Sequence, residues 1–328
     1  MWDFEIGKAL SLMGRTLPFV VFRMLVYFGI AVAYVVATGV GASVGWGIGM
    51  VGDDSFQASA SIWGGLAGFG IVGVIMYWLR EYILYLVKAG HIAVLVELLD
   101  GKAMPQGRSQ ISYAQSVVRE RFVEASVLFA VDQLVKGVLA AITGLMRGIL
   151  SILPLPGIEQ LAGILCAFLR IAVGLIDEVI FAYAIRTGAT NPWESARSAL
   201  ILYGQNYKPM MKNAAWIALF VYGLSFLVFL VMLAPAMIIV YLIPGAWAAG
   251  GVIFALLFAW SVKAALLEPF AIACMLQAYF RTIEGQKPDP AWEARLDEIS
   301  GKFGTLKEKA LAWVTPQGGS SALQEKTP

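Results

Sequence analysis

Eight side chains in this sequence carry charge where charge is costly: Asp132, Lys136 and Arg147, then Arg170, Asp177 and Glu178, then Lys263 and Glu268. Each lies in a run of otherwise apolar residues. Ionisable groups in such runs pair with one another, line a watery path or hold a solute. Spacing decides which can meet. Asp132 and Lys136 are four apart, one turn of helix on a single face. Arg170 and Asp177 are seven apart, on one face two turns away. Lys263 and Glu268 are five apart and poorly aligned on an α-helix, so each is expected to seek a partner on another helix. Asp177 and Glu178 are adjacent carboxylates, and two such groups buried together repel until one takes up a proton. That pair suits a cation or a proton. Glu268 precedes Pro269, and a proline inside a helix frees a carbonyl one turn earlier. A charge beside such a break marks either a binding site at a discontinuous helix or a simple kink near the interface. The chemistry on offer is therefore cation binding by Asp132, Asp177, Glu178 and Glu268, with Lys136, Arg170 and Lys263 as structural ion-pair partners. The competing reading of the same residues is a set of ion pairs that only holds a bundle together.

The elements that must position these groups are apolar helices. Six long apolar stretches run through the chain, at about 24–50, 61–87, 127–153, 160–185, 213–243 and 246–280. Each reaches the ~20 residues needed to cross a hydrocarbon layer of ~30 Å. Hydrophobic residues make up 59% of the chain and charged ones 14%, a membrane composition. Basic residues alternate along the connections. Lys8, Arg15 and Arg23 precede the first stretch, and the connection after it holds Asp53 and Asp54 but no Lys or Arg. Lys88, Lys102, Arg108, Arg119 and Arg121 follow the second. Arg186, Arg197, Lys208 and Lys212 follow the fourth, and seven more basic residues follow the sixth. The positive-inside rule then predicts six spans with both termini cytoplasmic, in a plasma or inner membrane. Arg80 and Glu81 read as interfacial. The fifth stretch has no charge and is expected to face lipid more fully than the others.

Other chemistries find no support. A single histidine, His91, leaves no histidine-based metal cluster and makes a Ser-His-Asp triad implausible. Cys166 and Cys274 fall inside apolar stretches, where thiols act as small hydrophobes. No enzyme constellation, metal site or cofactor motif is expected. The net charge of +2 follows the topology and implies no nucleic-acid partner.

The domain plan is an interfacial amphipathic helix over 1–20, a six-span domain over 21–286, a cytoplasmic amphipathic helix over 287–314 and a disordered tail over 315–328. Pro18 separates the first helix from the first span. Gly41, Gly45 and Gly49, spaced by four, lie at the end of the first span, and Gly64 and Gly68 at the start of the second. Glycines at this spacing let two backbones approach closely, so Gly41, Gly45, Gly64 and Gly68 are expected to pack the first hairpin. Asn191, Pro192 and Glu194 read as a helix start with a capping box. The tail helix is expected over 290–314, weakened by Gly301 and Gly304. The segment 129–136 faintly echoes 258–263, as inverted repeats would.

The second half, roughly Arg119 to Lys302, resembles the choline-transporter-like family of membrane proteins. The resemblance rests on Phe181–Gly188 (FAYAIRTG), on Asn191–Leu200 (NPWESARSAL) leading through Asn206 and Asn213 into a long span, and on Gln277–Gly285 (QAYFRTIEG) at the end of the last span. It implies transport of choline or a related amine and carries no functional residue across. The expected fold is an all-α, six-span polytopic bundle with amphipathic helices on its cytoplasmic side, contacting membrane lipid and forming a homo-oligomer or a complex with another membrane protein. The expected function is transport or permeation of a small solute such as a choline-like cation. The alternative is a non-transporting oligomeric scaffold whose cytoplasmic helices dock a partner.

Overall fold

The computed structural model describes residues 2–79, 85–102, 109–121, 127, 130–141, 175–242 and 250–313. All regular structure among them is helical. In chain order the helices are α1 (Ile6–Arg15), α2 (Leu17–Gly49), α3 (Asp54–Leu79), α4 (Tyr85–Leu99), α5 (Gln110–Arg121), α6 (130–141), α7 (Ile176–Arg186), α8 (Pro192–Gln205), α9 (Tyr207–Leu242), α10 (Gly250–Val262), α11 (Glu268–Thr282), α12 (Pro290–Ile299) and α13 (Gly301–Ala312). A π-helical turn, Lys263–Leu267, joins α10 to α11 without a break.

Two kinds of helix make up the molecule. α1, α4, α6, α7, α8, the first turns of α9, α11, α12 and α13 share one apolar core, which we call the body. α4 is buried along nearly its whole length, from Ala89 to Val96. By contrast α2, α3, α9 and α10 leave large apolar side chains uncovered. On α2, Val32, Val36, Val40, Val44 and Ile48 form an exposed stripe at a spacing of four. A helix apolar on its outer face as well as its inner one suits lipid rather than water. Four helical stretches are long and apolar enough to cross a membrane: Leu17–Gly49, Asp54–Tyr77, Tyr207–Tyr241 and Gly251–Thr282. None of 24–52, 55–79, 213–242 or 250–262 contains an Asp, Glu, Lys or Arg. Tyr207–Tyr241, the fifth sequence stretch, is the least buried of the four.

The charged third and fourth stretches differ from this pattern. Their described parts, 130–141 and 175–185, are packed into the body. Val135, Val138 and Leu139 of α6 and Ile176, Val179 and Ile180 of α7 are core residues, and Gly137 lies against the Lys302 stem of α13. The rest of both stretches, with Arg147, Cys166 and Arg170, lies outside the described residues, as do Arg80 and Glu81.

Boundaries shift for identifiable reasons. α2 begins at Leu17, seven residues before the apolar stretch, because Pro18 is preorganised for the first turn of a helix. α3 begins at Asp54 because Asp53 caps it, accepting from Phe56 N at 2.8 Å. Asn191 caps α8, accepting from Trp193 N at 3.1 Å and Glu194 N at 3.2 Å. The Glu194 carboxylate pairs with Arg197 at 3.3 Å. The tail is two helices rather than one. Ser300 is extended (φ −142°, ψ 109°), so α12 and α13 fold back as a hairpin on α8, with Leu296, Phe303 and Leu306 buried. Trp313 Nε1 closes the hairpin by donating to Thr190 O at 3.2 Å.

The four sequence-marked glycines face one another across the α2–α3 hairpin. A Cβ added to Gly41 would lie 2.1 Å from Gly64 O, and one on Gly64 2.1 Å from Gly41 O. At Gly45 it would meet Ala60 O at 2.0 Å, and at Gly68 it would meet Ala37 O at 2.0 Å. The second hairpin, α9–α10, packs on the first through Ala31 and Ala42 of α2 against Ala236, Phe254, Ala255 and Phe258.

Candidate functional site: two charge clusters of the body

The first cluster gathers Asp132, Asp177 and Glu178, three of the four carboxylates expected to meet a solute. α6 supplies Asp132 and Lys136 from one face, and their ion pair closes at 2.7 Å. Asp132 is 4% exposed and Lys136 48%, so the acid is buried and the amine reaches outward. α7 supplies Asp177 and Glu178 from its first turn, where the unpaired backbone N–H groups favour negative charge. α4 supplies Lys88, whose Nζ pairs with Glu178 Oε1. Lys88, Ala89, Ile92, Asp132, Asp177, Glu178 and Phe181 line a cavity of about 20 Å³. That is room for one water-sized occupant. Asp177 Oδ1 and Glu178 Oε2 are buried without a hydrogen-bond partner, an arrangement that a chain normally avoids.

The second cluster is built on the π turn. Glu268, the fourth candidate carboxylate, does not join the first group. Its Oε1 pairs with Lys263 at 3.2 Å and its Oε2 with Arg23 of α2 at 3.3 Å. The sequence spacing argued against a Lys263–Glu268 contact, and the π turn corrects that expectation. Its i→i+5 winding brings residues five apart into line, and Glu268 N donates to Lys263 O accordingly. The next donor in this register would be residue 269, which is proline and has no N–H. Ala264 O is therefore left open, and Arg23 fills the place with bonds from Nε at 3.2 Å and Nη2 at 2.6 Å. The proline-freed carbonyl is real, but a side chain of the same protein occupies it.

Lys88 and Arg23 were read only as markers of topology. Signals for both exist in the sequence. Pro18 as a first-turn residue puts Arg23 well inside α2, where a charge needs a partner. The residues from Ala89 to Leu99 are apolar on every face apart from His91 and Glu97, so a lysine at the border of such a buried helix needs a carboxylate.

His91 sits between the clusters on α4, buried, stacked on Phe19 at 5.3 Å between ring centroids. Its Nε2 lies 2.9 Å from Thr16 Oγ1. The Thr16 hydroxyl already donates to Leu12 O at 2.9 Å, so the imidazole must be the donor in the other bond. Burial, with a smaller contribution from the charge of Arg23, pushes the imidazole down to about 3. Between that value and its ordinary one near 6.5 the unfolded chain binds a proton that the folded chain refuses. The resulting stability is present above pH 6.5 and is lost as pH falls towards 3, at no more than ~1.4 kcal/mol per pH unit. His91→Gln, which keeps a donor for Thr16, is expected to flatten the fall in melting temperature over this window. An unchanged pH profile would show that His91 does not titrate there.

Among the described residues no three His, Cys, Asp or Glu side chains are placed to hold a metal ion. Comparison with protein-family models, curated proteins and solved structures finds no match.

Proposed function

We propose that this chain is an integral membrane protein that lets a small cation pass, with Asp132, Asp177 and Glu178 as the binding groups. One observation carries the reading: three carboxylates from two helices converge, with two of their oxygens unpartnered, on a cavity that holds a single small occupant. Carboxylates kept only for structure would be fully paired, as Glu268 is. The four apolar helices supply the membrane part, and the alternation of basic connections favours six spans with cytoplasmic termini. The cavity volume argues for a cation smaller than choline, because a quaternary ammonium far exceeds one water-sized space.

Purified protein in liposomes, loaded in turn with sodium, potassium, choline and a pH-sensitive dye, tests this. The expected result is a flux of a small cation well above that of empty liposomes, with no choline flux. Liposomes that leak none of these ions would overturn the reading in favour of a scaffold. That second reading draws on the docked α12–α13 hairpin and on the ion pairs that tie it to α8, Arg197 with Glu293 and Lys307 with Glu293 at 3.7 Å.

A further inference from the structure

The first cluster also points to which cation it holds, an inference that rests on the proposed permeation reading. Five charged groups face the cavity or its wall. Lys88 comes from α4, Asp132 and Lys136 from α6, and Asp177 and Glu178 from α7. α8 and α11 also pack on α7, but their charged side chains, Glu194, Arg197, Glu268 and Arg281, do not line the cavity. Lys302 of α13 lies near Gly137, one position beyond Lys136 on α6. Lys88 takes Glu178 and Lys136 takes Asp132. Asp177 is left with no cationic partner among the described residues, and its Oδ1 has no hydrogen bond.

Three occupants could relieve this excess of negative charge. A divalent metal ion needs about six oxygen ligands, and the remaining wall is two lysines, Ala89, Ile92 and Phe181. A sodium or potassium ion would have to shed its water and sit beside the Lys88 ammonium. A proton needs no coordination shell. It turns the Asp177 carboxylate into a carboxylic acid, and the new O–H then has an acceptor within the same wall, the unpartnered Glu178 Oε2, directly or through one water. A single proton thus cancels the unpaired charge and satisfies both orphaned oxygens. The helix N-terminus favours one ionised carboxylate here by only ~0.3–1 kcal/mol, too little to keep a second one charged in an apolar setting.

We propose that this cavity is a proton-binding site, with Asp177 as the group that takes the proton and Glu178 as its acceptor. The proton adds to one carboxylate oxygen, and no other bond forms or breaks.

Infrared difference spectra of the detergent-purified protein between neutral and alkaline pH are the direct test. A carboxylic-acid C=O band is expected in the wild type, absent in Asp177→Asn and retained in Glu268→Gln. A wild type without the band, or a band that survives in Asp177→Asn, overturns the site. Should Asp177→Asn fail to fold, Asp177→Glu keeps an acid at that place. Its band is then expected to shift in frequency, and an unshifted band overturns the assignment. In liposomes, an imposed pH gradient is expected to decay at least tenfold more slowly with Asp177→Asn and to recover with Asp177→Glu. Sodium or potassium flux without proton flux would overturn the proton assignment and leave the permeation reading standing. An infrared band with no flux of any ion would do the reverse.

Discussion

Gly45→Ala is expected to destabilise the detergent-solubilised protein by ~3 kcal/mol or more, the upper range for overpacking, while Gly47→Ala two residues on is neutral or slightly stabilising. The argument is steric. One methyl group on Gly45 would sit 2.0 Å from Ala60 O, and neither backbone can yield without opening the seam. Gly41→Ala meets the same obstacle at Gly64 O. Gly47 and Gly39 have nothing within 4 Å, on the same helix. There the substitution only exchanges glycine for a better helix former, a gain of up to ~1 kcal/mol. The opposite signs on one helix separate packing from propensity. Equal melting temperatures for Gly45→Ala and Gly47→Ala would mean that α2 and α3 are not in contact. Ala236 on α9 is no control for this experiment. It is fully buried against α10, although the fifth stretch is otherwise the most exposed.

Arg23→Met should cost ~3–5 kcal/mol, the scale for stripping one member from a buried charged network. Arg23 is 2% exposed, and its loss leaves Ala264 O without a donor and Glu268 with only Lys263. The second variant makes the argument specific. Pro269→Ala restores an N–H in the register that Ala264 O lacks. In that background Arg23→Met should cost distinctly less, measured as a double-mutant cycle on thermal stability. The same cost in both backgrounds would rule out the idea that the arginine replaces the missing backbone bond.

Periodicity carries far in some places and fails in others. The α2 and α3 glycines were legible because a spacing of four admits few explanations in an apolar helix. Asp132 and Lys136 were legible because one helix places both. The grouping of Asp132 with Asp177 was not, since it depends on how α6 and α7 settle against α4, and no local spacing encodes that. Glu268 was assigned to a solute site because the π turn is invisible to a 3.6-residue period, and with it the Lys263 contact. The helical extent of the charged stretches was misjudged for a related reason. Apolarity marks both a lipid-facing helix and one buried in a helical body. α4, α6 and α7 belong to the second kind in their described parts, and only their neighbours distinguish the two.

The route by which the protein is made inherits a constraint from Arg23. Its partners, Ala264 and Glu268, lie 241 and 245 residues further along the chain. Asp3 and Glu5 likewise bond to Asn213 and Gln277. The glycine-sealed hairpin can close as soon as α3 is synthesised, but the arginine at its base stays unmatched until nearly the whole chain has emerged. A nascent chain halted before α10 therefore presents the membrane with a formed hairpin and an unanswered positive charge. That combination distinguishes an unfinished molecule from a finished one, and it gives a quality-control protease a chemical mark to read.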